Sequence, residues 1–284
     1  MATISKTNGK IVSKIKYKGE IYDTGGGGSE GDVNPLQHII DNHKGDGQPS
    51  GEYLFYEYWG SSLDDAINSC DFTKITSAKQ MFYDCKNLKS VPYFDTSNCT
   101  DMYRMFWYCY RLTTIPKLNT GNVTNMENMF HNCGNLTTIP QLNTSKVTNM
   151  NDMFIDCSNL TTIPQLDTSN VTKMTSMFSG CYKLTTIDIT HMNITSNSYS
   201  YNFAQGCASL TKLIIRNMDT IPVLSSSAFN NCSHFTGTVD TIYNPDGLKD
   251  GRIYVPDDKV EELKAATNWS VYADIIVPLS TLVE

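Results

Sequence analysis

The sequence predicts an α/β repeat solenoid, in which coils with short parallel strands and short helical or 3-10 segments stack and are capped at both ends. A Met-Phe-x-x-Cys pattern returns five times between Met81 and Cys181, at a period of 24 residues. Leu follows each of these cysteines by three residues, and Val or Ile follows that Leu by three more. One unit of this length cannot bury its own apolar face, so a fixed period predicts stacked repeats.

Each coil is expected to contain one short strand, one turn and one short helical segment. The strand is expected at 112–116 and its counterparts, where β-branched residues end at a proline that cannot donate to a ladder. That proline recurs as Pro92, Pro116, Pro140 and Pro164. Residues 119–122 have turn composition. Residues 123–133 space their apolar side chains at three and four, which indicates a helical turn or a 3-10 segment.

Seven of the nine cysteines occupy one position of the repeat. They are Cys85, Cys109, Cys133, Cys157, Cys181, Cys207 and Cys232. Side chains at one phase point the same way, so a column of buried free thiols is favoured over facing disulfide pairs. Zinc ranks last, because one cysteine per coil does not supply Cys-x-x-Cys ligand pairs. We therefore expect no metal and no cofactor.

The array is flanked by segments of different composition. Residues 1–24 interleave apolar residues with lysines and predict a β unit too small to stand alone, which we expect to attach to its own copies or to a larger assembly. Residues 25–51 are a Gly-rich linker. Residues 52–76 are expected to form an aromatic N-terminal cap and a degenerate first coil, residues 77–240 the solenoid, and residues 241–284 a C-terminal cap.

Charge and hydropathy exclude two classes of partner. The net charge is −7 and the repeats have no cluster of Lys and Arg, so nucleic acid is not an expected ligand. No apolar run reaches the roughly 18 residues of a membrane helix, and the first thirty residues lack a signal-peptide core. We expect no membrane insertion, and assembly in a reducing cytoplasm.

The repeats resemble a known family. Leu184-x-x-Ile187-x-Ile189 and Leu210-x-x-Leu213-x-Ile215 are similar to the Leu-x-x-Leu-x-Leu core of leucine-rich repeats. Over roughly residues 60–240, the 24-residue units look like the BspA-like leucine-rich repeats of bacterial surface proteins and bacteriophage structural proteins. The resemblance implies a leucine-rich-repeat solenoid ended by a capping unit at 253–279. Proline follows the second apolar position in four coils, where the family more often continues its strand, so a narrower sheet is expected.

The search for catalytic residues finds no recognisable constellation. His38 and His43 lack the His-Glu-x-x-His pattern, and Gly25–Gly28 lacks the context of a phosphate loop. A catalytic triad assembled only in space stays open. We expect a protein that is not an enzyme. Adjacent threonines such as Thr113 and Thr114 are expected on opposite faces, so a two-wide hydroxyl array of the ice-binding type is not favoured.

One coil departs from the others in its side chains. It has aromatic or Arg residues at phases that the other coils leave mostly polar: Tyr103, Arg104, Trp107, Tyr108, Tyr110 and Arg111. Such residues suit glycan stacking or a protein-binding hot spot. The alternative is that residues 53–59 fold back onto them as part of the cap.

These features predict a non-enzymatic structural or binding protein. The preferred setting is a bacteriophage virion, as a fibre, decoration or adhesin-like component attached through residues 1–24. The alternative is a bacterial cell-surface adhesin. In either setting a host protein or glycan is the expected receptor, and a homo-oligomer is expected.

Overall fold

A computed structural model describes residues 14–17, 20–23, 44–45, 48–49, 51–52, 54–55, 67–68, 71–196, 200–237, 247 and 249–283. Near the start, strand β1 (Lys14–Tyr17) pairs antiparallel with β2 (Glu20–Asp23). Within the segment expected to be a linker, β3 (Lys44–Gly45) pairs antiparallel with β4 (Gln48–Pro49). Most of the aromatic cluster expected to cap the array, Tyr53 and residues 56–59, lies outside the described residues.

Stacked coils fill the middle of the chain. Isolated parallel bridges join the same position of successive coils, from Ser77 to Asp101, Asn125, Asn149 and Lys173. On the same side of the coil, every second backbone N–H donates to a backbone carbonyl of the next coil. Met126 donates to Asn149, Asn128 to Asn151 and Phe130 to Met153, at 2.9–3.0 Å. Equivalent residues therefore lie above one another, and the predicted solenoid is confirmed.

The helical segment expected at 123–133 is a series of turns instead. Residues between the coil-to-coil donors bond three residues back, as from the Met129 N–H to the Met126 carbonyl at 3.2 Å. Asn128 and Asn132 have φ values of 59° and 60°, in the left-handed region. A left-handed residue cannot continue a right-handed helix, which explains why residues 71–196 contain no helix.

The strand expected at 112–116 is also absent, because that segment and its counterparts at 136–140 and 160–164 form no regular ladder. Continuous strands begin where proline is replaced by Asp188 and Ile214, whose N–H groups can join a ladder. There β5 (Thr186–His191), β6 (Lys212–Asn217), β7 (Arg252–Val255) and β8 (Ile276–Pro278) form a parallel sheet in that order. The expectation of a narrower sheet in the proline coils is confirmed, and they lack a strand altogether.

Buried columns run through the stack. The rings of Phe55, Phe82, Phe106, Phe130, Phe154 and Phe178 lie parallel within 9°, at centroid distances of 5.1–5.6 Å. From Phe203 onward the contacts become edge-to-face, where the repeat period changes. Phe55 is thus the first ring of the column, and Leu54-Phe55 takes the place of a Met-Phe pair.

The cysteine column beside these rings is confirmed. Each thiol of the column donates to a backbone carbonyl of the preceding coil at 2.9–3.1 Å, as from Cys109 to Phe82, Cys133 to Phe106 and Cys157 to Phe130. All eight described cysteines are free and buried. Burial raises the pKa of Cys232 to about 12, so its thiol is protonated at neutral pH.

The far end of the array is covered by the last forty residues or so. Helix α1 (Ser233–Thr236) follows the last described turn of the array, and after β7 come a 3-10 turn (Asp257–Lys259) and helix α2 (Val260–Ala265). Two further 3-10 turns, Ser270–Tyr272 and Leu279–Thr281, flank β8. Trp269 is fully buried, and its indole N–H donates to the Pro222 carbonyl at 2.8 Å. This segment closes the apolar interior.

The threonine faces differ from expectation. Thr113 and Thr114 are both exposed, as are the pairs 137–138 and 161–162. Strict alternation applies to an extended strand, and these segments are not strands, so both side chains of a pair reach solvent. The Thr113 hydroxyl donates to the Lys89 carbonyl of the preceding coil at 3.1 Å.

Candidate functional site

The six candidate residues lie on the turns of one coil, and two of them occupy left-handed backbone positions. Arg104 has φ 53° and Tyr108 has φ 59°. The same two positions of the other coils hold Gln80 and Asp84, Asn128 and Asn132, Asp152 and Asp156, and Ser176 and Gly180. Asn, Asp and Gly enter this region readily, whereas Arg and Tyr do so at a cost. This coil therefore keeps large side chains where the backbone disfavours them.

Ring contacts join the aromatic members to one another. The Trp107 ring stacks on Tyr83 of the preceding coil, with centroids 4.3 Å apart and planes 27° apart. The Tyr108 ring packs edge-to-face against two others, with its centroid 3.8 Å from that of Trp107 and 5.2 Å from that of Tyr110. We call this group the aromatic patch and define it as Tyr83, Tyr103, Arg104, Trp107, Tyr108, Tyr110 and His131.

Arg104 packs against the rings of Tyr103 and Trp107 and so joins Tyr103 to the patch. Its guanidinium carbon lies 4.8 Å from the Tyr103 ring centre and 5.3 Å from that of Trp107, within cation–π range. Arg104 Nε and Trp107 Nε1 are buried atoms without a hydrogen-bond partner in the described structure. The cation is thus held by ring faces rather than by a carboxylate.

His131 forms the border of the patch on the next coil. Its Nδ1 lies 2.7 Å from Asn128 Oδ1, and its ring lies 5.7 Å from Trp107 and 5.9 Å from Tyr108. Burial, aided by the positive charge of Arg104, lowers the pKa of His131 to about 4. The imidazole is therefore neutral at physiological pH, and Arg104 is the cation within the patch.

Acidic side chains lie beyond this border. Burial raises the pKa of Asp152, and the nearby charge of Glu127 acts in the same direction, while Arg104 opposes both. Burial also raises the pKa of Asp156. Glu127 accepts a hydrogen bond from the Asn149 side chain at 2.6 Å. The described residues contain no group of three or more His, Cys, Asp or Glu placed to hold a metal ion.

Five of the six predicted residues come together in the patch. Arg111 does not: it is exposed, and in the described part of the chain no ring or ion-pair contact joins it to the patch. Tyr83 and His131 are members that sequence reasoning missed. Both lie 24 residues from Trp107, so their place beside it could have been read from the period. The patch is half-buried, with Tyr110 38% exposed.

The alternative of a folded-back cap concerns residues that are mostly outside the described structure. Of residues 53–59, only Leu54 and Phe55 are described, and both are buried. Phe55 stacks on Phe82 at 5.3 Å, inside the solenoid. That ring caps the interior column and makes no described contact with the patch.

The geometry defines a class of protein: a repeat solenoid that is closed by its C-terminal segment and carries an aromatic patch on one coil. The family model described as "Mycoplasma protein of unknown function, DUF285" matches residues 51–138 and 133–242, more than half of the chain. The chain belongs to this family.

One solved structure similar to this chain is a leucine rich cell surface protein from Faecalibacterium prausnitzii A2-165. The two are 17% identical, and the match covers 90% of this chain and 84% of that one with a TM-score of 0.32. This TM-score is low, so the fold class is assigned from the coil geometry described above. No curated protein matches the chain. None of the helices in the described residues has the length and apolar character needed to cross a membrane.

Proposed function

We propose that the protein is a non-enzymatic binding module whose solenoid displays the aromatic patch to a partner protein. The observation that carries the proposal is the backbone conformation of Arg104 and Tyr108. Two bulky side chains are kept at left-handed positions where the other coils have mostly Asn, Asp or other small polar residues. An unfavourable backbone conformation of this kind is typical of functional surfaces, where function overrides the local conformational preference of the residue.

The contacts within the patch favour a protein over a glycan. A sugar ring stacks on a free aromatic face, but one face of Trp107 is covered by Tyr83 and its edge meets Tyr108. What reaches solvent is a pre-packed group of Tyr, Trp and Arg, the residue types enriched in protein-binding hot spots. Their rigidity reduces the entropy lost on binding.

The test compares the double variant Trp107→Ser/Tyr108→Ser with the unmodified protein on a microarray of purified extracellular proteins and on a glycan array. Tyr201→Ser serves as the control, since Tyr201 is a 53% exposed tyrosine on another coil. We expect the unmodified protein and the control to bind the same protein spots. The double variant should lose them while it stays folded, with a melting temperature lowered by only a few degrees because half-buried ring contacts are lost.

Two results would contradict the proposal. A large drop in melting temperature with binding retained by the folded fraction would make the patch a packing element. Binding to glycan spots alone, lost in the double variant, would make it a sugar site. Turnover of chromogenic peptide, ester or glycoside substrates by the purified protein would separately refute the non-enzymatic part.

For the setting, we retain the finer assignment that the repeats are BspA-like and that residues 1–24 attach the solenoid, as a homo-oligomer, to a larger body. A virion is the preferred body, and the bacterial cell surface is the alternative. The β1–β2 hairpin supports attachment, because two strands alone are marginally stable and gain by pairing with a partner. Immunogold labelling of purified virions and of intact cells distinguishes the two settings, and a version lacking residues 1–24 should lose the label in either.

A further inference from the structure

A second surface, unrelated to the aromatic patch, is a polar groove with a volume of about 980 Å³. It runs across successive coils from Ser97 to Asn217, on the face that carries residues 117–122 and their counterparts. Its amide side chains are Asn119, Asn122, Gln141, Asn143, Gln165 and Asn217. Lys117 and Asp167 are lining residues of opposite charge. The groove is therefore polar but close to neutral, within a chain whose net charge is −7.

Hydrogen bonds within the protein orient these amides. Gln141 Nε2 donates to the Gln165 carbonyl at 2.9 Å, and Gln165 Nε2 donates to Asp188 Oδ1 at 3.2 Å. Asn143 Oδ1 accepts from the backbone N–H and the hydroxyl of Ser145, at 3.2 and 2.8 Å. Among the described residues, this leaves Oε1 of both glutamines as acceptors and Nδ2 of Asn143 as a donor. Fixed acceptors and donors thus lie side by side along the groove.

The spacing of these groups indicates the ligand. Stacked parallel segments repeat at about 4.8 Å, so Gln141 and Gln165, one coil apart, offer acceptors at about that interval. This is close to the length that one pyranose unit adds to an extended sugar chain. A hydroxyl both donates and accepts, which matches adjacent amide oxygens and N–H groups.

Other polymers fit less well. An extended peptide rises about 3.3 Å per residue, so its residues cannot pair one to one with coils about 4.8 Å apart. A polyanion requires clustered Lys and Arg, and the groove has one lysine balanced by one aspartate. We propose that the groove binds a neutral oligosaccharide along the solenoid axis, one sugar residue per coil. The proposal is independent of the function assigned to the aromatic patch.

The experiment is isothermal titration of the full chain with cellohexaose, maltohexaose and chitohexaose, the last in its N-acetylated form. The variant Gln141→Leu/Gln165→Leu removes two acceptors. The control Thr114→Val/Thr138→Val changes two exposed threonines outside the groove. We expect at least one hexasaccharide to bind, its affinity to fall about tenfold in the glutamine variant because two hydrogen bonds are lost, and the threonine variant to match the unmodified protein.

The remaining measurements vary the length and the charge of the sugar. The disaccharide of the bound sugar should bind much more weakly than the hexasaccharide, since it spans two coils rather than the groove. Equal binding of both, tighter binding of a heparin hexasaccharide, or no binding of any neutral hexasaccharide at millimolar concentration would overturn the proposal. The variant Trp107→Ser/Tyr108→Ser should bind the sugar as the unmodified protein does, so the groove and the aromatic patch can fail separately.

Discussion

Replacing Tyr108 by Gly and by Ala isolates the cost of its left-handed backbone. Both variants remove the ring and its contacts with Trp107 and Tyr110, so they differ only in Cβ. At an ordinary position Gly is less favourable than Ala by about 0.5–1 kcal/mol, because it loses more backbone entropy on folding. At φ 59° an L residue carries a penalty of about 1–2 kcal/mol that Gly avoids. We therefore expect Tyr108→Gly to be more stable than Tyr108→Ala by about 0.5–1 kcal/mol, the difference between these two effects.

Tyr110 provides the matched control on the same coil. It belongs to the same patch, but its φ is not among the positive values of the described residues. The order should therefore reverse, with Tyr110→Ala more stable than Tyr110→Gly by about 0.5–1 kcal/mol. Urea unfolding followed by circular dichroism resolves both differences. With a slope of about 2 kcal/mol/M, 1 kcal/mol moves the midpoint by about 0.5 M.

The signs of the two Gly–Ala stability differences test whether the left-handed backbone at residue 108 has a cost. If Ala is more stable than Gly at both positions, the left-handed geometry has no measurable cost at residue 108, and the support it gives to a functional patch is lost. If Gly is more stable at both, the effect belongs to the coil as a whole rather than to Tyr108.

Three further predictions concern the interior and the pH dependence. Phe130→Ala, in the middle of the stacked rings, should cost about 3–5 kcal/mol in urea unfolding, because it opens a cavity at a fully buried site; a loss below about 1 kcal/mol would contradict the continuous column. Burial raises the pKa of the Cys133 thiol, so iodoacetamide should modify it only in unfolding concentrations of urea, and rapid labelling of the native protein detected by mass spectrometry would refute its burial. The pKa of His131 is lowered from 6.5 to about 4, so the unfolded chain binds the extra proton between these values, and stability should fall as pH decreases from about 6.5 to about 4. His131→Asn should show a smaller decline over that interval by thermal unfolding, and an unchanged slope would place His131 in solvent.

The interior of the fold was predictable from the sequence, because each buried column is one residue type at one phase. Phe130 and Cys133 were assigned inward on period alone, and the stack and thiol column follow. The strand at 112–116 and the helical segment at 123–133 were not predicted correctly. Local composition favours a strand in the first segment and a helix in the second. Pro116 removes a donor that a strand ladder needs, and the left-handed backbone of Asn128 and Asn132 stops a helix. Coil-to-coil hydrogen bonds stabilise the turns instead. Backbone φ is not visible in a periodicity.

The candidate site was predictable in part, for the same reason. Comparing coils by phase found Trp107 and Tyr108, since a departure from a repeat is visible without knowing the fold. Their neighbours Tyr83 and His131 required only the period. Whether ring faces are open or covered is a matter of side-chain packing, and it is the stacking of Tyr83 on Trp107 that moves the expectation from a sugar toward a protein.

A solenoid can carry two kinds of recognition surface, and this protein has a candidate for each. The stacked interior requires the same residues in every coil, so a site that occurs once must arise where one coil departs from the pattern, as at Arg104 and Tyr108. Such a site fits a partner that also presents a single complementary surface, which is the case for a folded protein. The groove arises instead from the repeat itself, with Gln141 and Gln165 at the same phase of neighbouring coils. A surface that repeats at the coil spacing gains most from a ligand that repeats at a similar spacing, because neighbouring units of the ligand then meet equivalent positions of neighbouring coils.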